Sequence, residues 1–356
     1  MLTRLAAALT WRWEAWTDTM RDALYHALGA RGGAHFIRWR WPFGITKPYH
    51  RRRLLLRAPG VGIGDNLMVT PILREIKRRN PACEITMLTL HPDLFRDNPH
   101  VDHVVSPFDP AERDALILRY DHMAPRRLSG APLPSAADGS DRFRGYVHPT
   151  PPPRPLITIM AENVGLELHA TQLDCAPPEV SPVFRERVAA IAAPFVVVQP
   201  EASAWTPLKN WPVDRWVEVV HALLLECTVV EVGTSSVLAE HIHDPRFVSL
   251  AGQSSVAEMM YLISKATIFA GPDSAGMHVA NAFHVPSVIV FGGYSSPEMF
   301  RYPRTRALVG ATECAPCMLT TPCPFSRKCL SMITVADVTS AIRATLAECL
   351  PPPATH

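Results

Sequence analysis

Leu54-Leu55-Leu56-Arg57-Ala58-Pro59 runs straight into Gly60-Val61-Gly62-Ile63-Gly64-Asp65. The apolar run is short and bounded, which predicts a buried strand. The glycines let the chain turn tightly and let a ligand approach the backbone. Met68 to Arg79 then carries a helical pattern that stops at Asn80-Pro81, and Glu84 to Leu90 reads as a second strand. Strand, glycine turn, helix and strand together make one right-handed βαβ unit of a parallel sheet.

The same alternation returns in the second half. Phe195–Val198, Thr228–Val232, Thr267–Ala270 and Ser287–Phe291 read as strands. Val213–Glu226, Ser255–Lys265 and Ala275–Phe283 read as the helices between them, and Val335–Glu348 as a last helix. This predicts an α/β chain with a second doubly wound sheet. Residues 156–174 look helical. Residues 121–155 are rich in Pro, Arg and Gly, with Pro151-Pro152-Pro153, and predict a long surface loop or an insertion without fixed structure. The expected organisation is an extension over 1–53, one domain over 54–178, a connection over 179–194, a second domain over 195–348 and a tail over 349–356.

The 356 residues are 47% hydrophobic and 19% charged, enough apolar material for two cores and unlike a disordered chain. The net charge of +2 conceals a split. Residues 1–53 hold ten Lys/Arg and three Asp/Glu, so they carry +7 and the remainder −5. A folded part that is acidic argues against a nucleic-acid binder. Leu2, Leu5, Leu9, Trp13, Trp16, Met20, Leu24 and Leu28 recur at helical spacing, and five of the eight tryptophans fall in the first 41 residues. Trp and Arg together suit a headgroup interface, so contact with an anionic membrane is one expectation. Packing on the protein's own surface or on a second subunit is the other. No transmembrane run or convincing signal peptide is evident, which predicts a cytoplasmic protein, peripheral on the inner membrane face if the extension meets lipid.

Four groups of residues carry candidate chemistry. Gly62, Gly64, Asp65 and Asn66 lie where a strand meets a helix. Asp65 is either a helix cap or a carboxylate at the mouth of the sheet, available as a general base. Lys209-Asn210-Trp211-Pro212 precedes a helix, and Lys209 is either a solvated lysine or a point charge for phosphate. Gly271-Pro272-Asp273-Ser274-Ala275-Gly276-Met277-His278 follows a strand and opens a helix. There the amides of Ser274, Ala275 and Gly276 would form an anion site and Asp273 would meet a ribose. Simple capping is the alternative for Asp273 and Ser274, and a core position for His278. Cys314, Cys317, Cys323 and Cys329 fall within sixteen residues. Four thiols at that spacing suit one tetrahedral Zn or Fe, with reduced structural thiols as the alternative.

In this order the motifs resemble glycosyltransferase family 9, which contains the lipopolysaccharide heptosyltransferases. The resemblance rests on Gly64-Asp65 with Thr70-Pro71, on Pro200-Glu201-Ala202 with Lys209-Asn210-Trp211-Pro212, on Gly271 to His278, and on Cys314-Ala315-Pro316-Cys317 with Cys329-Leu330. It covers about residues 54–345. It implies a GT-B fold, two Rossmann-like domains facing a cleft, with the acceptor on the first and a nucleotide sugar on the second. Asp65 then matches the family's proposed base and Gly62, Gly64 and Asn66 its acceptor-side loop. Lys209, Asp273, Ser274, Ala275, Gly276 and His278 match the donor site. ADP-heptose is the implied donor, no catalytic metal is expected, and the cysteines would be structural.

Two residues depart from the family pattern, Glu201 and Ala275, each at a usual glycine. The acidic residue used to hold the ribose has only Glu240 as a distant candidate. The acceptor implied is a glycolipid glycan. One alternative is a protein hydroxyl, in a branch said to carry cysteine-bound iron; another is a non-catalytic binding or assembly protein of the same fold. An oligomer is compatible with all three.

Overall fold

The computed structural model describes residues 53–57, 62–106, 123–124, 155–163, 166–202, 206–317, 319 and 322–349. The N-terminal stripe and almost all of the 121–155 segment lie outside these residues, and so do the expectations placed on them.

The described strands form two parallel sheets. In the first the order is β3 (His103–Val105), β2 (Glu84–Leu88), β1 (Arg53–Arg57), β4 (Met123–Ala124). In the second it is β10 (Thr305–Val309), β9 (Ser287–Phe291), β8 (Ile268–Pro272), β5 (Phe195–Val198), β6 (Thr228–Glu231), β7 (Phe247–Ser249). Numbered along each half, the second sheet runs 3-2-1-4-5-6 and the first 3-2-1-4. Both are wound outward in two directions from a central strand, and each has a point where strand order reverses. Ligands bind beyond the carboxyl ends of strands at such a point. For the second sheet it lies between β5 and β8, and for the first between β1 and β4.

Local sequence explains the helices. The chain leaves β1 through Gly62 into a single helical turn, α1 (Ile63–Leu67). Asn66 donates to the Gly62 carbonyl at 2.8 Å and accepts from Thr89 Oγ1 at 2.7 Å, which pins the turn to the chain after β2. α2 (Thr70–Arg79) starts with Pro71 in its first turn, where its missing N–H is harmless, and ends on Lys77, Arg78 and Arg79, which suit the negative helix end. In the second half, α5 (Val213–Leu223) buries Trp216, Val219, Val220 and Leu223 on one face. α6 (Val256–Lys265) is started by a complete capping box between Ser255 and Glu258, a feature worth about 1 kcal/mol. α7 (Ala275–Ala282) is buried along nearly its whole length, and α9 (Val335–Cys349) closes the chain.

Several expectations are corrected. The helix predicted over 156–174 ends early, as α3 (Leu156–Asn163), and residues 166–181 are irregular. That irregular stretch is held by polar contacts instead: Arg74 grips Asp174, and Gln172 donates to the Asn281 carbonyl at 2.9 Å. The predicted connection contains a helix, α4 (Pro182–Ala189), capped by Ser181. Met123–Ala124, expected in a loop, is an edge strand against β1.

Two apolar clusters hold the molecule together. One passes without a break from Leu54, Leu67 and Ile85 of the first half to Phe269, Met277 and Ile289 of the second. The other lies on the opposite face of the second sheet, under α5 and α9, and centres on Trp211 and Trp216, whose rings meet edge to face at 5.3 Å. No helix among the described residues is long and apolar enough to cross a membrane.

Candidate active site

The two reversal points face one another, because α1 of the first half packs on α7 of the second. Asp65 sits inside the first turn of α1. It is not the helix cap, since Gly62 holds that position without a side-chain bond. Its Oδ2 folds back over Gly62, where a Cβ would come within 2.9 Å of it. Burial pushes the Asp65 pKa above its ordinary value; Lys209 pulls it back down and Asp273 pushes it up. Two donor-side charges from the other half are thus felt at Asp65.

Asp273 ends the β8 segment and is 4% exposed. Its Oδ2 receives the Lys209 ammonium at 3.1 Å and the Ser295 hydroxyl at 2.5 Å. Lys209 also stands over the Tyr294 ring at 4.7 Å. Sequence reading named Lys209 and Asp273 but missed Ser295 and Tyr294. Their one local signal is position, directly after β9 and the Gly292-Gly293 pair.

The start of α7 is organised by Gln199, another residue sequence reading missed, at the carboxyl end of β5. Gln199 Oε1 accepts from Ser274 Oγ at 3.0 Å and from the Gly276 amide at 3.3 Å, and its Nε2 donates to the Glu201 carbonyl at 3.0 Å. The Gly276 amide is therefore turned to Gln199. Gly276 is also packed so closely on Phe269 that a Cβ there has no space. Of the three amides expected to meet an anion, those of Ser274 and Ala275 are not turned to Gln199. Ser274 is the N-cap but makes no capping bond, so its hydroxyl serves Gln199 rather than the helix end.

His278 is 5% exposed. Its Nδ1 lies 2.7 Å from the Tyr302 hydroxyl, and Phe300 and Tyr302 stand edge-on to its ring. Burial drives its pKa down to about 4, so at neutral pH it is uncharged. Burial likewise raises the Tyr302 hydroxyl well above its ordinary value, and the negative charges of Asp273 and Asp65 add to that.

Sequence offered Glu240 only as a distant candidate for an acid that would hold a ribose. Glu240 lies far out, exposed and beside His241. The acid at the end of β6 is Glu231, fully buried, which accepts from Ser236 Oγ, Ser249 Oγ and the amides of Val237 and Leu238 at 2.5–3.0 Å. It fixes the loop after β6 rather than reaching outward.

The cysteine segment wraps the Gly292-Gly293 turn. The Cys317 amide donates to the Gly293 carbonyl at 2.7 Å, and a Cβ on Gly293 would meet Cys329 Sγ at 3.2 Å. Cys317 and Cys323 pack against Leu208, Tyr294 and Leu319, immediately under the Lys209 site. Burial raises the Cys317 thiol, and charges on Cys314, Cys329 and Cys323 would add to it. The four thiols thus share one neighbourhood, yet among the described residues no three His, Cys, Asp or Glu side chains are drawn together around a metal-sized centre.

The model of "Glycosyltransferase family 9 (heptosyltransferase)" matches residues 156–325. The chain carries a family 9 glycosyltransferase domain. The matched segment contains Lys209, Asp273 to His278 and three of the clustered cysteines, while Asp65 and Cys329 lie outside it.

Among solved structures, ADP-heptose lps heptosyltransferase II of E. coli is 18% identical at a TM-score of 0.61, over 83% of this chain and 99% of its own. The iron-containing dodecameric glycosyltransferase TibC of enterotoxigenic E. coli is 18% identical at 0.57, over 84% and 77%. E. coli heptosyltransferase WaaC, solved with ADP, is 17% identical at 0.54, over 82% and 99%. At these identities the likeness establishes the fold, which is GT-B. No curated protein sequence matches the chain.

Proposed function

We propose that this glycosyltransferase moves heptose from ADP-heptose to a hydroxyl of a lipopolysaccharide-type acceptor, by direct displacement with inversion at the anomeric carbon. The observation that carries this reading is the packing of α1, which bears Asp65, on α7, which begins just after the Lys209–Asp273 ion pair. Asp65 Oδ takes the proton of the attacking acceptor hydroxyl as the new glycosidic bond forms. The sugar–phosphate bond breaks as that bond forms, and its electrons leave with the nucleoside diphosphate. Lys209 and the Ser274 and Ala275 amides meet the developing phosphate charge. Lys209 is held by Asp273, so it is already oriented when the diphosphate arrives. The likeness to WaaC with ADP and to an ADP-heptose enzyme supports the donor.

A protein acceptor is the second reading. It is favoured by the cysteine loop beside the donor site and the likeness to iron-containing TibC. Under either reading the four thiols would have to close from their present spacing to hold a structural zinc or iron, and no step passes through it. Metal analysis of protein purified without chelator tests that part: about one equivalent per chain is expected for a single four-thiolate site, and freely reactive, metal-free thiols would remove it.

The main experiment is sugar transfer from ADP-heptose by wild type and Asp65→Asn. General-base catalysis contributes roughly 10²–10⁴-fold, so turnover should fall by that factor while ADP binding persists. Wild-type turnover in the variant would end the assignment.

A further inference from the structure

Gly64 and His278 belong to opposite halves and meet face to face. Gly64 lies in α1, one residue before Asp65. His278 lies in the first turn of α7, just past the donor-side turn at Asp273–Ala275. The imidazole edge rests directly on the Gly64 backbone. A Cβ at position 64 would fall 2.4 Å from Cδ2 and 2.6 Å from Nε2, closer than side chains tolerate. The absence of a side chain is what lets α1 approach α7 so closely.

Neither surface of this contact is free to yield. The imidazole is fixed on one edge by the Tyr302 hydroxyl, 2.7 Å from Nδ1. The rings of Phe300 and Tyr302 stand edge-on to it, with centroids 5.3 and 5.6 Å away. Below it, α7 is locked to the sheet by the Gln199 bond to the Gly276 amide and by the close fit of Gly276 on Phe269. On the other side, Asn66 ties α1 to the Gly62 carbonyl and to Thr89. Two rigid parts therefore touch at one point, and that point is next to Asp65.

We propose that the His278 ring, held by Tyr302, is the seat on which the Gly64–Asp65 turn docks, and so fixes where Asp65 stands relative to Lys209 and Asp273. His278 and Tyr302 are then positioning residues for sugar transfer, an inference that rests on Asp65 being the base. The seat works through shape. An uncharged imidazole adds no net charge, and the charges that act on Asp65 are those of Lys209 and Asp273. Geometry at this contact matters because misplacement of a catalytic group by about 1 Å can cost on the order of 10²-fold in rate.

The test compares Gly64→Ala, His278→Ala and the double variant. Gly64→Ala should lower transfer at least about tenfold and leave the Kd for ADP within about threefold, because the donor residues are untouched. The double variant, with the ring gone and space for the methyl group, should be no slower than His278→Ala alone. Losses that simply multiply would overturn the seat, as would wild-type transfer by Gly64→Ala. Tyr302→Phe keeps the ring packing and removes the hydroxyl. It should lower transfer without changing thermal stability as much as Gly64→Ala does, and wild-type transfer would remove Tyr302 from the seat.

Hydrogen exchange provides a readout independent of activity. The amides of Asn66 and Met68 donate to the Gly62 and Gly64 carbonyls. Ala is the better helix former, so a purely local effect of Gly64→Ala slows their exchange. Loss of the seat speeds it, and His278→Ala in the same chain should reverse that. Unchanged or slower exchange in Gly64→Ala overturns the seat whether or not the protein transfers sugar. Faster exchange in the variant, with no transfer by the wild type, would support the seat and refute the catalytic reading alone.

Discussion

Asp65 and Asp273 both follow a central parallel strand, Asp65 in the helical turn after β1 and Asp273 directly after β8, yet their surroundings are opposite. Asp273 is nearly enclosed and its Oδ2 is occupied by the Lys209 ammonium and the Ser295 hydroxyl. Asp65 has no hydrogen-bond donor among the described residues, and burial raises its pKa. A carboxylate saturated with donors is committed to holding its partners. One left without donors, reachable from the surface and with its pKa raised, accepts a proton more readily. The difference assigns the roles: Asp273 orients the cation of the donor site, and Asp65 is the base. It also shows why one half needs a side-chain network and the other mainly an empty glycine.

The largest effect expected from this contrast is on stability. His278 lies on the Asp273 side and is buried uncharged, with its pKa down to about 4 from an ordinary 6.5. The unfolded chain binds the proton first, so stability is full above pH 6.5 and is lost as pH falls toward about 4. The loss attributable to this one group reaches about 3 kcal/mol. Urea unfolding at pH 7 and pH 4.5 measures it, and His278→Asn should show a correspondingly smaller acid loss. An equal loss in the variant would mean that other groups, such as His100, whose pKa is also lowered by burial, carry the effect.

A smaller effect is expected on binding. Lys209→Ala removes a charge-assisted contact, worth about 1.5–3 kcal/mol, and should weaken ADP by roughly ten- to hundredfold in calorimetry. Asp65→Asn, on the opposite half, should not. Equal weakening by both would erase the division between the two aspartates.

How far the sequence revealed this arrangement varied with the physics of each part. The strands β5, β6, β8 and β9 are fully buried and mostly apolar, and β1 carries the run Leu54-Leu55-Leu56, so their composition gives them away. The edge strands β3, β7 and β10 mix His, Ser, Thr and Arg with apolar residues, and no pattern marks them. Residues 166–174 carry helix-compatible residues but are held irregular by Arg74 and Asn281 from elsewhere in the chain. In the site, Asp65, Lys209 and Asp273 stand out because each follows a strand and a turn. Gln199, Ser295 and Tyr302 reach the site through partners 22 to 77 residues away, and no local spacing discloses them. Glu231 was passed over because it lies within a strand, while its four hydrogen bonds come from the loop after β6 and from β7.

The pH dependence of kcat/KM for sugar transfer tests most directly the claim that the donor pair acts on Asp65 across the two halves. In the wild type the acid limb should report a base whose pKa lies above the ordinary aspartate value, because burial raises it. Lys209→Ala removes the charge that lowers that pKa, so the limb should move to higher pH. Asp273→Asn removes a charge that raises it, so the limb should move to lower pH. Opposite displacements are the predicted result. Limbs that stay in place, or that move in the same direction in both variants, would contradict the account.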